Sequence, residues 1–465
     1  MKYRNYSIDL LRGLAILGMV LAAVIPWNDA FPAWMYHAQI SPPDFIYNPN
    51  KAGITWVDLV FPFFLFSMGA AFPFALKSKL VSGAYKEIVF GIFKRGILLV
   101  FFAIALAYFT PDNLTSSSSI NYTTALAVFI AFGLVFQRFD VAYQKKLIIK
   151  CVGFLIIGVL CYYHSEILNN TFDKSKNNII IMVLANVAVI GSFIWLMTAS
   201  NIYLRIAVIV AFIGIWLTHD IQGSWTSKIW NFHPSIQWFY NFSYLKYLCI
   251  VLPGTILGDL VLINKSITNK LYEPEEHIQA RILALISFIF IVFHVCSLYM
   301  RWLDFNLLGH VIFMIIFYSF FKKVVSLQLK FYGKLIVWGL IFVSVGLFFE
   351  PLNGGIKKDP SSFSYWFITS GLAFVFYCTC DFITKTLGTN KIVQSVVRCG
   401  QNPMMAYCIS SFFITPILAM LGILSYIDYL GNIHSYLGLI RTLVYMMLVI
   451  LLTNLASKKG WFWRS

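Results

Sequence analysis

Apolar positions in this chain come in long, nearly unbroken runs rather than at the alternating or 3.6-residue spacing of half-buried elements. Each run is close to the roughly 20 residues that a helix needs to cross a hydrocarbon core. Spans are expected at 8–26, 54–76, 88–110, 118–136, 146–163, 178–198, 202–218, 243–263, 280–300, 304–321, 332–350, 362–383, 403–424 and 438–456. The pattern predicts an all-α polytopic membrane protein with 12–14 transmembrane helices, and 14 is the count adopted here. The lower count stays open because 178–198 and 202–218 almost touch and 304–321 is short. The longest aqueous segments are 27–53, 219–242 and 264–279. They leave no room for a large soluble domain, so residues 1–465 are expected to form a single transmembrane unit.

Composition agrees. The chain is 59% hydrophobic and 12% charged, with mean hydropathy +0.77, whereas soluble domains carry about 25% charged residues. The net charge of +16 would suit a nucleic-acid partner if it were spread over one surface, but it is sorted by alternate connections. One side holds 25 of the 35 basic residues and the other holds 9, with Arg12 inside the first span. Such a bias orients a polytopic chain with the basic side inward. Both termini are therefore expected in the cytoplasm, with an even number of crossings of a bacterial inner membrane. The bilayer is the expected partner and nucleic acid is not. Lys2 and Arg4 before an apolar stretch resemble a signal peptide, yet Asp9 and Arg12 interrupt that stretch and no small-x-small site precedes Pro26. An uncleaved first helix is expected. Seven of the eight cysteines lie in apolar runs and Cys399 near the cytoplasmic face, which suggests neither a disulfide framework nor a metal site.

Polar residues at membrane depth carry the functional information, because each is unfavourable there unless paired or used. In the first helix, SIDLLRGLAILGMVLAAVIPW, Asp9 and Arg12 share a face. They are either a structural ion pair or a site where Arg12 holds a phosphate. The next connection is rich in proline and aromatic residues and contains Trp34, Tyr36 and His37, with Asp58 one turn into the second helix. Asp58 is either a locally paired helix-end residue or the orienting partner of His37. On the same side of the membrane, 219–242 supplies Trp230 and His233 in an aromatic and polar mixture suited to stacking and hydrogen bonding a sugar, or to an interfacial belt. Lys357 and Lys358 precede the twelfth span. On the cytoplasmic side, Arg95 in FKRG and Arg398 and Asn402 in VVRCGQNPMMAY lie where helices meet the interface, as phosphate ligands or as ordinary basic flanks. His294 and His310 lie in apolar helices, where interhelical hydrogen bonds are expected rather than metal ligation. Walker, nucleophile-elbow, H-E-x-x-H and Rossmann motifs are absent.

The stretches SIDLLRGLAILGMV, YHA and GITWVDLVFPFFLFSMG together resemble the heparan-α-glucosaminide N-acetyltransferase family, a group within the transmembrane acyltransferases. SSFSYWFITSGLAF and GQNPMMAY resemble later family motifs, so the likeness is strongest over 7–76 and weaker at 350–410. It implies an enzyme that takes acetyl from cytoplasmic acetyl-CoA and delivers it to the amine of glucosamine, or a glucosamine-terminated saccharide, on the far side. It also implies His37 and Asp58 as catalytic residues. Asp9, Arg12 and Gly13 match the first-helix motif and Asn402 the late one. With Arg95 and Arg398, Asp9, Arg12 and Asn402 make the candidate acetyl-CoA set, while Trp34, Trp230, His233 and Lys358 make the candidate acceptor set. Two departures stand out. A proline-rich insert follows Ala38, and Ala23 occupies a position where the family often has asparagine, a role left vacant or taken by Asn28.

Chemistry supports the same residues independently. Acetyl transfer to an amine needs a base with a pKa near ambient pH, and histidine is the side chain that provides one. A carboxylate behind it sets the tautomer and stabilises the imidazolium. Direct transfer and an acetyl-histidine intermediate both fit; direct transfer is preferred because an acyl-imidazole must survive near water. The alternatives are O-acetylation of an envelope polysaccharide through the same His37, or, from a different class, a secondary transporter or sugar exporter. No inverted repeat with paired broken helices favours the latter. No metal is expected, and a homodimer is a possible assembly.

Overall fold

The computed structural model describes residues 4–27, 31–114, 117–232 and 236–465. Among the described residues, thirteen helices are long and apolar enough to cross a bilayer. In chain order they and one shorter apolar helix are α1 (Tyr6–Val24), α2 (Trp56–Val81), α3 (Tyr85–Phe109), α4 (Ser118–Phe136), α5 (Tyr143–Ile167), α6 (Ile179–Met197), α7 (Ile202–Thr218), α8 (Phe242–Ile263), α9 (Pro274–Tyr299), α10 (Leu303–Lys322), α11 (Leu327–Phe348), α12 (Phe363–Thr386), α13 (Pro403–Met420) and α14 (Ser435–Lys458). The chain is thus an all-α, multi-pass membrane protein, and every expected span is a helix. The shorter α7 matters to the topology. Arg464 lies within electrostatic range of Arg4 and Asp9, and its N–H donates to Phe136 O at the end of α4. Both termini therefore share one face, here called the terminal face, which requires an even number of crossings. Thirteen crossings would separate the termini; α7 makes fourteen.

Burial separates the centre from the rim. Some 78% of the most apolar window of α8 and of α12 is buried inside the bundle, against 17% for α5 and α10. The rim helices instead turn residues such as Leu155, Val159, Ile312 and Ile315 outward, as a lipid-facing surface demands. Close contacts at the centre depend on small residues. A Cβ on Gly254 of α8 would stand 2.1 Å from Phe66 O of α2, so glycine alone permits this backbone approach. Likewise a Cβ on Gly400 would meet Asp9 O at 1.9 Å, which seats the helix Lys391–Gln401 directly against α1.

Two buried polar clusters join helices without reaching the loops that carry the site. Arg205 of α7 is fully buried and pairs with Asp259 of α8 at 2.7 Å. Thr198, Thr255 and the Trp195 indole complete the hydrogen bonding of the pair. In the other half of the bundle, His294 of α9 and His310 of α10 form a chain of fixed direction. Asn306 Nδ2 donates to Ser297 Oγ at 2.5 Å, so its Oδ1 accepts from His294 Nδ1 at 3.2 Å. His294 Nε2 must then accept from His310 Nδ1, at 3.2 Å, and His310 Nε2 from Ser344 Oγ, at 2.9 Å. Every ring nitrogen of the pair has a partner, the interhelical hydrogen bonding that the sequence led us to expect.

Opposite the terminal face, the α1–α2 connection and the α11–α12 connection are bound together. Gly53 N–H donates to Ile356 O at 2.7 Å, and Arg301, between α9 and α10, pairs with Glu350 at 2.6 Å. Glu350 in turn accepts from Ile356 N–H at 3.1 Å. These bonds make one packed lid from segments that are distant in sequence.

Candidate functional site

Helix α2 begins with a capping box, and this small device places the first functional group. Thr55 is the N-cap, and Asp58, three residues on, accepts the Thr55 N–H at 2.9 Å. The same oxygen, Oδ2, also accepts the Ala38 N–H at 3.2 Å, tying the residue after His37 to the start of α2. Thr55 Oγ1 donates to Tyr36 O at 2.7 Å on the other flank of His37. Tyr365 of α12 donates to the Asp58 carbonyl at 2.7 Å and fixes this turn against the bundle centre. Asp58 is fully buried.

His37 sits between two carboxylates. Its Nδ1 is 3.3 Å from Asp58 Oδ1, and its Nε2 is 3.7 Å from Asp359 Oδ2 in the α11–α12 connection. Neither approach is a hydrogen bond. Nδ1 instead accepts from Gln39 N–H at 3.1 Å, so in the neutral ring the proton rests on Nε2. Asp58 Oδ1 and His37 Nε2 are both buried and both lack a hydrogen-bond partner among the described residues. Such atoms are rare in folded proteins, because an unsatisfied buried polar group costs about 1–3 kcal/mol. Here two of them lie on the two sides of one imidazole.

Nothing in the sequence pattern singles out Asp359 or Gln39. The Gln39 amide is buried and brackets the Asp359 backbone: Oε1 accepts Asp359 N–H at 2.9 Å, and Nε2 donates to Asp359 O. Tyr47 also donates to Asp359 O, at 2.7 Å. The main chain of Asp359 is therefore clamped while its carboxylate is half exposed. Burial opposes ionisation of Asp359, but the facing His37 and the charges of Lys358 and Lys246 prevail and hold its pKa below the ordinary carboxylate value.

The expected acceptor residues are distributed around this point. Lys358 is half-buried beside Asp359 and within its electrostatic reach. Trp230 packs against Trp216 at 4.8 Å and His219 at 4.4 Å between ring centroids. Lys246 Nζ lies 5.5 Å from the Trp216 ring and links this aromatic group electrostatically to Asp359. Trp34 is exposed on the short turn Ala33–Met35. His233 and Asn28 lie outside the described residues.

Near the terminal face, Asp9 collects cations. Arg4 pairs with it at 2.5 Å and Arg12 at 3.4 Å, and Gln401 donates to it at 3.4 Å. Arg12 also donates to Ser67 O at 2.8 Å, bridging α1 to α2. Arg95 of α3 lies within electrostatic range of Arg12 and has no hydrogen-bond or ion-pair partner among the described residues. Arg464 joins the group. Burial first, then Arg4 and Arg138, lower its pKa, with Asp9 opposing. Several arginines thus share one carboxylate. The other two expected cofactor residues are engaged elsewhere. Arg398 donates to Asn454 at 2.6 Å, and both ends of the Asn402 amide bind the C-terminal backbone, at Trp461 O (2.8 Å) and Trp463 N–H (3.0 Å).

Between these two regions lies a small apolar cavity of about 30 Å³, lined by Ile16 and Met19 of α1, Phe61 and Phe64 of α2, and Leu99 and Phe102 of α3, among others. Ile16 and Met19 follow Arg12 at helical spacings of four and seven, and Leu99 and Phe102 follow Arg95 in the same way. The arginines therefore lie on the cavity-facing stripes of their helices, one turn closer to the terminal face. At the other end, Phe61 is one turn from Asp58.

No curated protein matches the chain. The model of a family described as a domain of unknown function (DUF5009) matches residues 4–261, from the Asp9 cluster through α8. That match covers more than half of the 465 residues, and the chain belongs to this family.

Proposed function

We propose that this protein is a transmembrane acetyltransferase that moves acetyl from acetyl-CoA, bound at the terminal face, to the amine of glucosamine or a glucosamine-terminated saccharide at the opposite face. The observation that carries this reading is the buried, unpartnered Nε2 of His37, set between two carboxylates at the junction of two clamped loops. The basic bias of the terminal face makes it the cytoplasmic one, where acetyl-CoA is available.

The residues fit a division of labour. Arg95, with Arg12, Arg4 and Arg464, supplies more positive charge than Asp9 neutralises, which suits the phosphates of a CoA-like donor. The apolar cavity beyond Arg12 and Arg95 suits the uncharged arm. Its present volume holds a water molecule or two, so passage of the arm requires α1, α2 and α3 to separate.

At the other end, transfer of the resting imidazole proton from Nε2 to Nδ1 through solvent, with Nδ1 exchanging the Gln39 amide for the vacant Asp58 Oδ1, frees Nε2 as a base. The acceptor ammonium gives its proton to Nε2, and Asp58 and Asp359 stabilise the resulting imidazolium. The neutral amine attacks the thioester carbonyl, a C–N bond forms, and the C–S bond breaks. The nitrogen loses its second proton to the departing thiolate, giving the amide and free CoA, and the imidazolium releases the first proton to solvent to restore the base. A correctly placed base of this kind contributes about 10²–10⁴ in rate.

The test is release of free CoA thiol by purified protein in detergent, given acetyl-CoA with and without glucosamine. Glucosamine-dependent release supports the reading, and equal release with and without glucosamine, or none, overturns it.

A further inference from the structure

We propose that Asp359 is the acceptor-binding carboxylate, holding a primary ammonium group against His37 Nε2. The inference rests on the reading above and adds to it a residue in the α11–α12 connection, outside the stretch matched by the family model.

Three features set Asp359 apart from the other acidic residues at this face. Its main chain is fixed on three sides, by both ends of the Gln39 amide and by Tyr47, so the carboxylate has a defined station. Its side chain is half exposed while that of His37 is only 13% exposed. A group arriving from the aqueous side therefore meets Asp359 first and His37 behind it. Finally, the carboxylate is ionised but underused. Lys246 and Lys358 influence it electrostatically, yet among the described residues neither closes to an ion pair, and Lys246 Nζ lies over the rings of Trp216 and Tyr247.

Asp58 provides the contrast that excludes it from the same role. Its Oδ2 is filled by Thr55 and Ala38, and the whole side chain is buried. It can answer a change at His37 Nδ1 but cannot meet a substrate.

Geometry favours an ammonium ion in the gap. The separation of Asp359 Oδ2 and His37 Nε2 is 3.7 Å, too wide for a hydrogen bond between them. A nitrogen about 2.8 Å from each atom, the usual charge-assisted distance, completes a triangle on that edge. One N–H of the ammonium then faces the carboxylate and another faces the imidazole that removes a proton. A neutral hydroxyl acceptor lacks the charge that makes the carboxylate contact strong, so the same pair selects amines over alcohols.

The experiment compares wild type, Asp359→Asn and Asp359→Glu by two readouts. One is steady-state transfer with glucosamine as the varied acceptor. The other is the glucosamine-induced rise in melting temperature, with glucose as the uncharged control. The Gln39 and Tyr47 contacts are to the main chain, so both variants keep the clamp. For Asp359→Asn the expected result is a KM for glucosamine raised about tenfold or more with an unchanged KM for acetyl-CoA. Its glucosamine-induced melting shift should disappear, and Asp359→Glu should restore part of both. Unchanged glucosamine KM and melting shift in Asp359→Asn overturn the proposal while leaving the acetyltransferase reading intact. An Asp359-dependent melting shift without any transfer supports the ammonium site and overturns the acetyltransferase reading. Equal melting shifts with glucose and glucosamine overturn the ammonium site.

Discussion

Two of the histidine sites in the half of the bundle away from the termini differ in whether their hydrogen-bonding capacity is filled. His294 and His310 form a directed chain from Ser344 to Ser297 in which each ring nitrogen has a partner. His37, between Asp58 and Asp359, keeps a buried nitrogen without one, and Asp58 keeps a buried oxygen without one. All three histidines are shielded from water, so burial alone does not separate scaffold from chemistry. The state of satisfaction does so only together with the neighbours. His164 also keeps a buried Nδ1 without a hydrogen-bond partner, but among the described residues no carboxylate pairs with it. His37 lies between two, where an incomplete network gains free energy by accepting a partner.

The arginines divide in the same manner. Arg205 is matched by Asp259 and surrounded by hydroxyl and indole partners, which makes it a structural link between α7 and α8. Around Asp9, cations outnumber carboxylates and Arg95 is unmatched. Arg4 and Arg464 are exposed, but the excess positive charge at the half-buried Arg12 and Arg95 is unfavourable without a counterion, and a bound anion removes that cost.

Substitutions can break this comparison. The largest effect is expected at His37: alanine there should lower glucosamine acetylation by about 10²–10⁴, while binding of acetyl-CoA, followed by its thermal shift, is retained. Next is Arg95→Ala, which should raise the KM for acetyl-CoA by about 10- to 100-fold through loss of a charge-assisted contact and leave the KM for glucosamine unchanged. His310→Ala should instead act on stability. It leaves His294 Nε2 without a donor and should cost about 1–3 kcal/mol, seen as a lower melting temperature with kcat preserved.

The smallest effect concerns pH. The folded pKa of Asp359 is depressed, so its contribution to stability is complete above the ordinary carboxylate value and is lost as pH falls through the lower folded value. His37, Lys246, Lys358, Tyr47, Tyr247 and Tyr365 surround the group electrostatically. The melting-temperature difference between wild type and Asp359→Asn should shrink as pH falls below about 4. A difference that grows on acidification would reverse the assigned sign.

Much of the fold was legible in the sequence because lipid solvation imposes long apolar runs, and these survive without knowledge of tertiary contacts. Even α7, nearly fused to α6 in the pattern, is a separate apolar helix. The interfacial helices Lys391–Gln401 and Ile423–Ile433 were folded into neighbouring connections or spans, since short amphipathic segments lack that signature. The π turns at Tyr163–Ile167 and Ser410–Ile414 were not legible, although the second runs into Pro416, whose missing N–H interrupts the helical ladder.

Within the site, His37 and Asp58 could be singled out because one follows an aromatic loop and the other opens a helix. Gln39 and Asp359 could not, because they are 320 positions apart and only the folded lid brings them together. The position of Asn402 suggested a ligand, but its amide holds the C-terminal tail, a partner visible only in three dimensions.

The central claim is that His37, unfilled and flanked by two carboxylates, is the reactive histidine. It is tested most directly by glucosamine-dependent release of free CoA thiol from wild type, His37→Ala and His310→Ala, assayed side by side at equal protein concentration and pH 7. The account predicts turnover by wild type and His310→Ala and its loss in His37→Ala. Turnover by His37→Ala, or equal loss in both variants, would contradict it.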